Sequence, residues 1–429
     1  MVTHVDVVAV HLWGKLVGAL VFDAGANCYA FEYDPAWRRQ GVEIAPLQMP
    51  LGTRQKIFRF PQLSRLTYNG LPGAIADALP DAFGNALIDR WMRDRGIEAE
   101  AITPLDRLSY MGTRAMGALE FRPAQEREGE TPAPLEMKAL VEAARRVLTG
   151  QLDEGGADAA LRAIIRVGTS AGGARAKAVI AWNPETREMR SGQLDAPDGF
   201  EHWLLKFDGV GTDAELGTGA HYGRIEYAYS LMAREAGIAM MPCRLLEEHG
   251  RAHFMTRRFD RENGRKHHVQ TLCAMAHLDY NLREANSYEQ LFDTARRLDL
   301  VADAMTELFR RTVFNVAARN CDDHTKNFAF MLREGGRWAL APAYDVTHAY
   351  NPKGVWTYQH LMSVGGRFKD ITRAGLLKLA LEFGVTDARE QIARVAAAVA
   401  QWPRFAEAAG LSEQDASRVA HDHVDLGSA

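Results

Sequence analysis

The residues Asn320-Cys-Asp-Asp-His-Thr-Lys-Asn327 pack two carboxylates, an imidazole, an ammonium and an amide into one short turn. Asp322 and Asn327 stand at the spacing D-x-x-x-x-N of a kinase catalytic loop. In such a loop the Asp orients an attacking hydroxyl and accepts its proton, and the Asn holds Mg²⁺. His324 and Lys326 lie between them. A further carboxylate, Asp345 in Ala343-Tyr-Asp-Val346, follows a predicted strand and a return strand containing Trp338, where a second metal-holding group belongs. Taken alone, the spacing is common enough by chance that the turn reads better as a polar loop with a capping Asp and solvated charges. The weight therefore falls on the elements that would have to position it.

The predicted helix before this turn carries Met305, Leu308, Phe309, Thr312, Val313 and Val316 on one face of a 3.6-residue period. A loop anchored on a buried helix is pre-positioned. Upstream, Arg166-Val-Gly-Thr-Ser-Ala-Gly-Gly-Ala-Arg-Ala-Lys177 puts Gly168, Thr169, Ser170, Ala171, Gly172 and Gly173 in a turn whose backbone amides could cradle phosphates. It matches neither G-x-x-x-x-G-K-[ST] nor G-x-G-x-x-G, and a ligand-free hairpin turn is the alternative. Lys206 ends a predicted strand, where a lysine can hold ATP phosphates and pair with a helix Glu; otherwise it is a solvated edge-strand charge. Glu226, expected in the first turn of a helix over 222–236, is the candidate partner, or else an acid complementing the helix dipole. The hairpin arm His253 to Asp260 brings Met255, Thr256, Arg257 and Arg258 to where a hinge would offer backbone groups to an adenine. His267, His268 and His277 lack a carboxylate or cysteine at metal spacing and read as loop and helix histidines.

Composition narrows the classes. The chain of 429 residues has room for two or three domains. Its net charge of −4, with scattered Lys and Arg, argues against autonomous nucleic-acid binding. The cysteines Cys28, Cys243, Cys273 and Cys321 are far apart and form no C-x-x-C pair, so a reducing, cytoplasmic setting is expected. No apolar run approaches the roughly 20 residues that span a bilayer. Residues 1–122 read as an α+β unit opening on strands. Residues 123–135 read as a Pro- and charge-rich linker, 136–256 as a glycine-loop and strand region, and 257–429 as a mainly helical region.

The parts thus occur in the order a protein-kinase-like fold needs: glycine turn, strand lysine, helix acid, hinge, Asp322, Asn327, Asp345. In this combination the chain resembles the HipA-type serine/threonine kinase toxins of bacterial toxin–antitoxin modules. The likeness is carried by Val167 to Ala178, Leu205-Lys-Phe207, Arg258-Phe-Asp-Arg261, Asp322-Asp-His-Thr-Lys-Asn327 and Ala341-Pro-Ala-Tyr-Asp345. Phe31-Glu-Tyr33, Leu47 to Leu51 and Leu79-Pro80 extend it upstream.

The resemblance implies an α+β, two-lobed kinase-like fold with an added N-terminal α+β subdomain, and ATP and Mg²⁺ as cofactors. It implies Asp322 as catalytic base, assisted by Lys206, His324 and Lys326, and Asn327 and Asp345 as Mg²⁺ ligands. ATP would meet residues 168–173, Lys177, Lys206, Met255, Thr256 and Phe259. A member of the family has Glu where this chain has Arg257, so the resemblance implies backbone rather than side-chain contacts to adenine there. Ser170 falls where the family carries an autophosphorylated serine, with Thr169 beside it. A phosphoserine would bring about −2 charge into a loop meant to embrace phosphates, which would expel the loop and stop the enzyme. The implied partners are a HipB-like helix-turn-helix antitoxin and a protein substrate such as an aminoacyl-tRNA synthetase, with no membrane and no DNA contact without the antitoxin. The competing readings are a small-molecule or lipid phosphotransferase, and an inactive kinase-fold co-repressor.

Overall fold

The structure, a computed structural model, describes residues 4–80, 82–94, 96–123, 176–192, 196–208, 221–248 and 250–427. The glycine turn 168–173, with Ser170 and Thr169, and the predicted linker beyond residue 123 lie outside the described residues. The chain divides into two compact units. Unit 1 holds residues 1–206, 257–277 and 331–337; unit 2 holds 207–256, 278–330 and 338–429. Secondary structure is mixed α and β. No described helix is long and apolar enough to cross a membrane.

Unit 1 opens on the predicted strands. β1 (Val7–Leu12), β2 (Lys15–Asp23), β3 (Cys28–Tyr33), β4 (Ile57–Phe58) and β5 (Leu119–Arg122) form an antiparallel sheet in the order β4-β3-β2-β1-β5. Alternation in β1 buries Val8, Val10 and Leu12 and leaves Val7 half exposed. Trp13 and Gly14, both with positive φ, make the tight β1–β2 turn. In β2 only a glycine fits at Gly18, because a Cβ there would meet the Glu32 carbonyl and the Phe31 ring. Further on, β6 (Lys177–Trp182) pairs with β7 (Met189–Ser191) and with β8 (Glu201–Lys206), antiparallel in both cases.

The same unit contains a buried ion cluster. Asp260 is fully buried and accepts from Arg258 Nε (2.9 Å), Arg258 Nη2 (2.7 Å), Arg261 Nη1 (2.8 Å) and the Gly117 amide (2.7 Å). Arg261 also donates to the carbonyls of Gly117 and Ala115. This cluster fastens the 115–117 turn to the 258–261 segment. Burial disfavours the Asp260 carboxylate, but the two guanidinium groups outweigh it and hold the carboxyl well below its usual range.

Unit 2 is mainly helical. α1 (Tyr222–Glu235) leads into the hairpin of β9 (Cys243–Glu248) and β10 (Arg251–Arg257). α2 (Tyr288–Arg297) starts at a capping box between Ser287 and Gln290. α3 (Ala302–Ala317) is the helix expected before the key turn, and it buries Leu308, Phe309, Thr312, Val313 and Val316 as its periodicity requires. It packs against α5 (Ala388–Ala400), one of four closing helices with α4 (Arg373–Phe383), α6 (Trp402–Ala408) and α7 (Glu413–Asp422). β11 (Ala329–Leu332) and β12 (Trp338–Leu340) follow the key turn as predicted.

Candidate active site

The α3 helix stops at Ala318, and Arg319 takes a left-handed backbone (φ 53°) that turns the chain away. The Asn320 amide donates to the Asn315 carbonyl, Cys321 N donates to Ala349 O, and Ala349 N donates to Arg319 O. These bonds hold the start of the turn on both sides. Its end is a short 3₁₀ turn, Thr325–Asn327, fixed by Thr325 Oγ1 donating to Leu278 O (2.7 Å) and Tyr344 Oη donating to Lys326 O (2.6 Å).

Between these anchors, successive side chains face different surroundings. Cys321 and Asp323 are buried, whereas the Asp322 side chain is 47% exposed. His324 Nε2 stands 3.7 Å from Asp322 Oδ1. Asn327 Nδ2 donates to the Asp322 carbonyl (2.7 Å). With its amide nitrogen committed, Asn327 has its oxygen to offer a cation. Lys326 rests its ammonium 4.9 Å from the centre of the Tyr280 ring, which also stacks at 5.4 Å on His324. Asp345 has a left-handed backbone (φ 53°), unusual for a residue other than glycine and frequent where a side chain must be aimed.

Asp323, Asn327 and Asp345 line one small pocket together with Asn315, Asn320, Arg311 and Tyr344. Its volume of about 20 Å³ has room for one ion or water and not for a nucleotide. The donors are hard oxygens of the kind Mg²⁺ takes. The Asn320 Oδ1 atom is buried without a hydrogen-bond partner. The residues present therefore fit a Mg²⁺ ion. No group of three or more His, Cys, Asp or Glu suited to a metal occurs among the described residues.

The remaining expected residues fall as follows. Lys206 is the last residue of β8 and is buried; it is not the solvated edge charge that was its alternative, because β6 pairs alongside. Directly across the register stands Lys177, also buried. Glu226 corrects a predicted position: it lies in the second turn of α1, with no acid in the first, and is buried. Met255, Thr256 and Arg257 close β10, with Met255 buried. Arg257 Nη1 is paired with Glu201 Oε1 at 3.1 Å, and Phe259 lies two positions further along the chain. Of the three histidines read as loop and helix residues, His268 instead begins a strand (His268–Thr271), His267 precedes it and His277 caps a short helix. His267 pairs with Glu262, His268 bonds the Ile44 carbonyl, and His277 packs on Phe60 and Tyr68.

Sequence reasoning missed the groups that fix the turn: Asp323, Tyr288, His360, Tyr280 and Tyr344. One signal was available. Asn315 interrupts the apolar stripe of α3, and a buried amide needs polar partners nearby.

Comparison with known proteins identifies the family of the chain. Residues 169–424 match the HipA-like C-terminal domain and residues 8–122 match the HipA N-terminal domain. The structure is similar to the HipA of Shewanella oneidensis MR-1, solved in complex with HipB and its operator DNA. The TM-score is 0.67 and the identity 19%, over 96% of this chain and 94% of that one. A more remote similarity, to the Helicobacter pylori proinflammatory kinase CtkA, has a TM-score of 0.35 and 10% identity. It covers 53% of this chain and 89% of that one. No curated protein matches by sequence. With both of its domain models matched, the larger over more than half of its length, the chain belongs to the HipA family.

Proposed function

We propose that this chain is an ATP- and Mg²⁺-dependent protein serine/threonine kinase of the HipA toxin type, acting on a protein target to arrest growth. The observation that carries the reading is the turn itself. A half-exposed Asp322 has its backbone carbonyl bound by Asn327, and Asn327 and Asp345 line one ion-sized pocket. Phosphoryl transfer asks mainly for positioned charge, and these residue types supply it.

In this reading the Asp322 carboxylate accepts the proton of a serine or threonine hydroxyl as its oxygen bonds to the γ-phosphorus. The bond from that phosphorus to the ADP oxygen breaks, and the proton leaves later to solvent. His324, beside Asp322 Oδ1, steadies the carboxylate. Lys326 adds positive charge near the reacting groups. Asn327 and Asp345 would hold Mg²⁺, which would supply positive charge to offset that of the phosphates. Lys206 and Lys177 bind ATP phosphates. The two lysines stand opposite each other on neighbouring strands, so both present their charge at one end of the β6–β8 pair. Glu226 supplies the buried helix acid that the kinase-like order of parts calls for. The strand end Met255, Thr256 and Arg257, with Phe259, borders the adenine through backbone groups. The glycine turn, from Gly168 to Gly173, covers the phosphates, and phosphorylation of Ser170 or its neighbour Thr169 switches the enzyme off. The partner is a HipB-like DNA-binding antitoxin, as in the Shewanella complex.

The test is a phosphoproteomic comparison of cells expressing the wild type and Asp322→Asn. The expected result is a set of Ser/Thr phosphosites, including Ser170 or Thr169 of the chain itself, found only with the wild type. The same sites in both strains would overturn the role of Asp322. No new protein phosphosite with the wild type would overturn the protein-kinase reading.

A further inference from the structure

The carboxylate next to Asp322 makes bonds that none of the roles above uses. Asp323 has no exposed side-chain surface. Its Oδ2 accepts from Tyr288 Oη (2.6 Å) and His360 Nδ1 (2.8 Å), and its Oδ1 accepts from the Leu361 amide (2.7 Å). The network continues. Asn315 Nδ2 donates to Tyr288 Oη (3.0 Å), and Asn320 Nδ2 donates to Asn315 Oδ1 (2.9 Å). On the far side His360 Nε2 stands 3.9 Å from Cys321 Sγ. A closed ring of buried side chains therefore grips Asn320, Cys321 and Asp323, the neighbours of Asp322 on both sides, while Asp322 itself reaches solvent.

Two features separate this ring from ordinary packing. Its members come from α2, α3 and the 360–361 segment, so it fixes the turn against three separate parts of unit 2. It also ends at the pocket, since Asp323, Asn315 and Asn320 line it beside Asn327 and Asp345. Burial draws His360 toward its neutral form, but the Cys321 sulfur and the Asp323 carboxylate outweigh that and raise its pKa to about 10. Its ring therefore has a proton at Nδ1 to donate at neutral pH.

We propose that Asp323, donated to by His360 and Tyr288, is a positioning unit that sets the backbone of the turn so that Asp322 and Asn327 meet the reacting groups together. It touches no substrate and acts through the Asp322 carbonyl that Asn327 binds. The inference rests on the phosphoryl-transfer reading for its consequence in rate, and on geometry alone for its effect on the turn.

The test compares His360→Leu, which removes the donor, with His360→Asn, whose amide can donate where Nδ1 does, and with Tyr288→Phe. Each is measured on the full chain below its unfolding temperature. With ATP, Mg²⁺ and the phosphorylated protein as probes, His360→Leu and Tyr288→Phe lower kcat by about ten- to a hundredfold with KM for ATP within twofold, a typical cost of a misplaced catalytic group. His360→Asn recovers to within threefold of the wild type. Hydrogen exchange adds a readout independent of turnover: amides of 320–327 exchange faster in His360→Leu and Tyr288→Phe, with the β1–β5 sheet unchanged. An active wild type with unchanged kcat in both variants overturns the inference. So does equal loss in His360→Leu and His360→Asn, or exchange at 320–327 that does not change. If the wild type transfers no phosphate, the kinase reading fails, and the exchange result still decides whether the ring positions the turn.

Discussion

Asp260 and Asp323 are both fully buried carboxylates, one in each compact unit, and both have every oxygen bonded. Their partners differ in kind. Asp260 sits between two guanidinium groups, which stay charged at any ordinary pH and bind in a rigid fork. Asp323 is held by a phenol, an imidazole and a backbone amide. The first set of partners makes a permanent clamp suited to joining segments. The second makes a set of directed bonds, each separable by a change of one atom, next to residues proposed to do chemistry. The same residue type thus serves architecture in one place and alignment in the other, and the partners tell which.

The sharpest break of this comparison is Asp260→Ala. It leaves the Arg258 and Arg261 guanidinium groups buried without their counter-charge, and such a change costs about 3–5 kcal/mol. The expected outcome in denaturant unfolding is a loss of that size, with phosphate transfer per folded molecule unaltered. A loss under about 1 kcal/mol would mean that the clamp behaves as a surface pair.

Acid and base separate the two settings next. His268 and His277, in unit 1, are pushed down to about 4 by burial. Their contribution is complete above the unfolded value near 6.5 and disappears as pH falls toward 4, about 3 kcal/mol for each ring. His360 has the opposite sign. Its raised pKa gives stability that is complete below about 6.5 and is lost as pH climbs through about 10. Residue-resolved imidazole NMR titration checks this, with His268 and His277 neutral at pH 6 and His360 still protonated at pH 8. His423 of unit 2 is also pushed down to about 4 by burial, so a bulk pH–stability curve alone would not separate the sites. A His360 resonance titrating near 6.5 would contradict the charged ring around Asp323.

A smaller effect is expected on the exposed side of the turn. Tyr280→Leu removes the ring under the Lys326 ammonium and beside His324. A loss of about 1 kcal/mol in thermal unfolding is expected. A loss like that of Asp260→Ala would place Tyr280 among the buried framework.

The two carboxylates also mark what could be read in the sequence. Arg258-Phe-Asp-Arg261 is local, and its ion pairs join residues one and two positions apart, so the motif showed itself although its grip on Gly117 did not. The partners of Asp323 come from residues 288, 360 and 361, and no periodicity connects positions that distant. For that reason the spacing of Asp322 and Asn327 was legible in the sequence while the ring around Asp323 was not. Helix α3 and strands β1–β3 were legible because one buried face imposes a period on each. The helix starts at Tyr222 as expected, and Glu226, its fifth residue, already lies beyond one turn of 3.6 residues.

Asp322 is the proposed proton acceptor of a phosphoryl transfer. The most direct measurement is transfer of label from γ-labelled ATP with Mg²⁺ to the chain itself and to added protein, comparing wild type and Asp322→Asn. Because the side chain is half exposed, the two should unfold at closely similar temperatures. The predicted result is transfer by the wild type and a fall of about 10²–10⁴-fold in the variant, the range for losing a general base. Equal transfer by the two proteins would contradict the account.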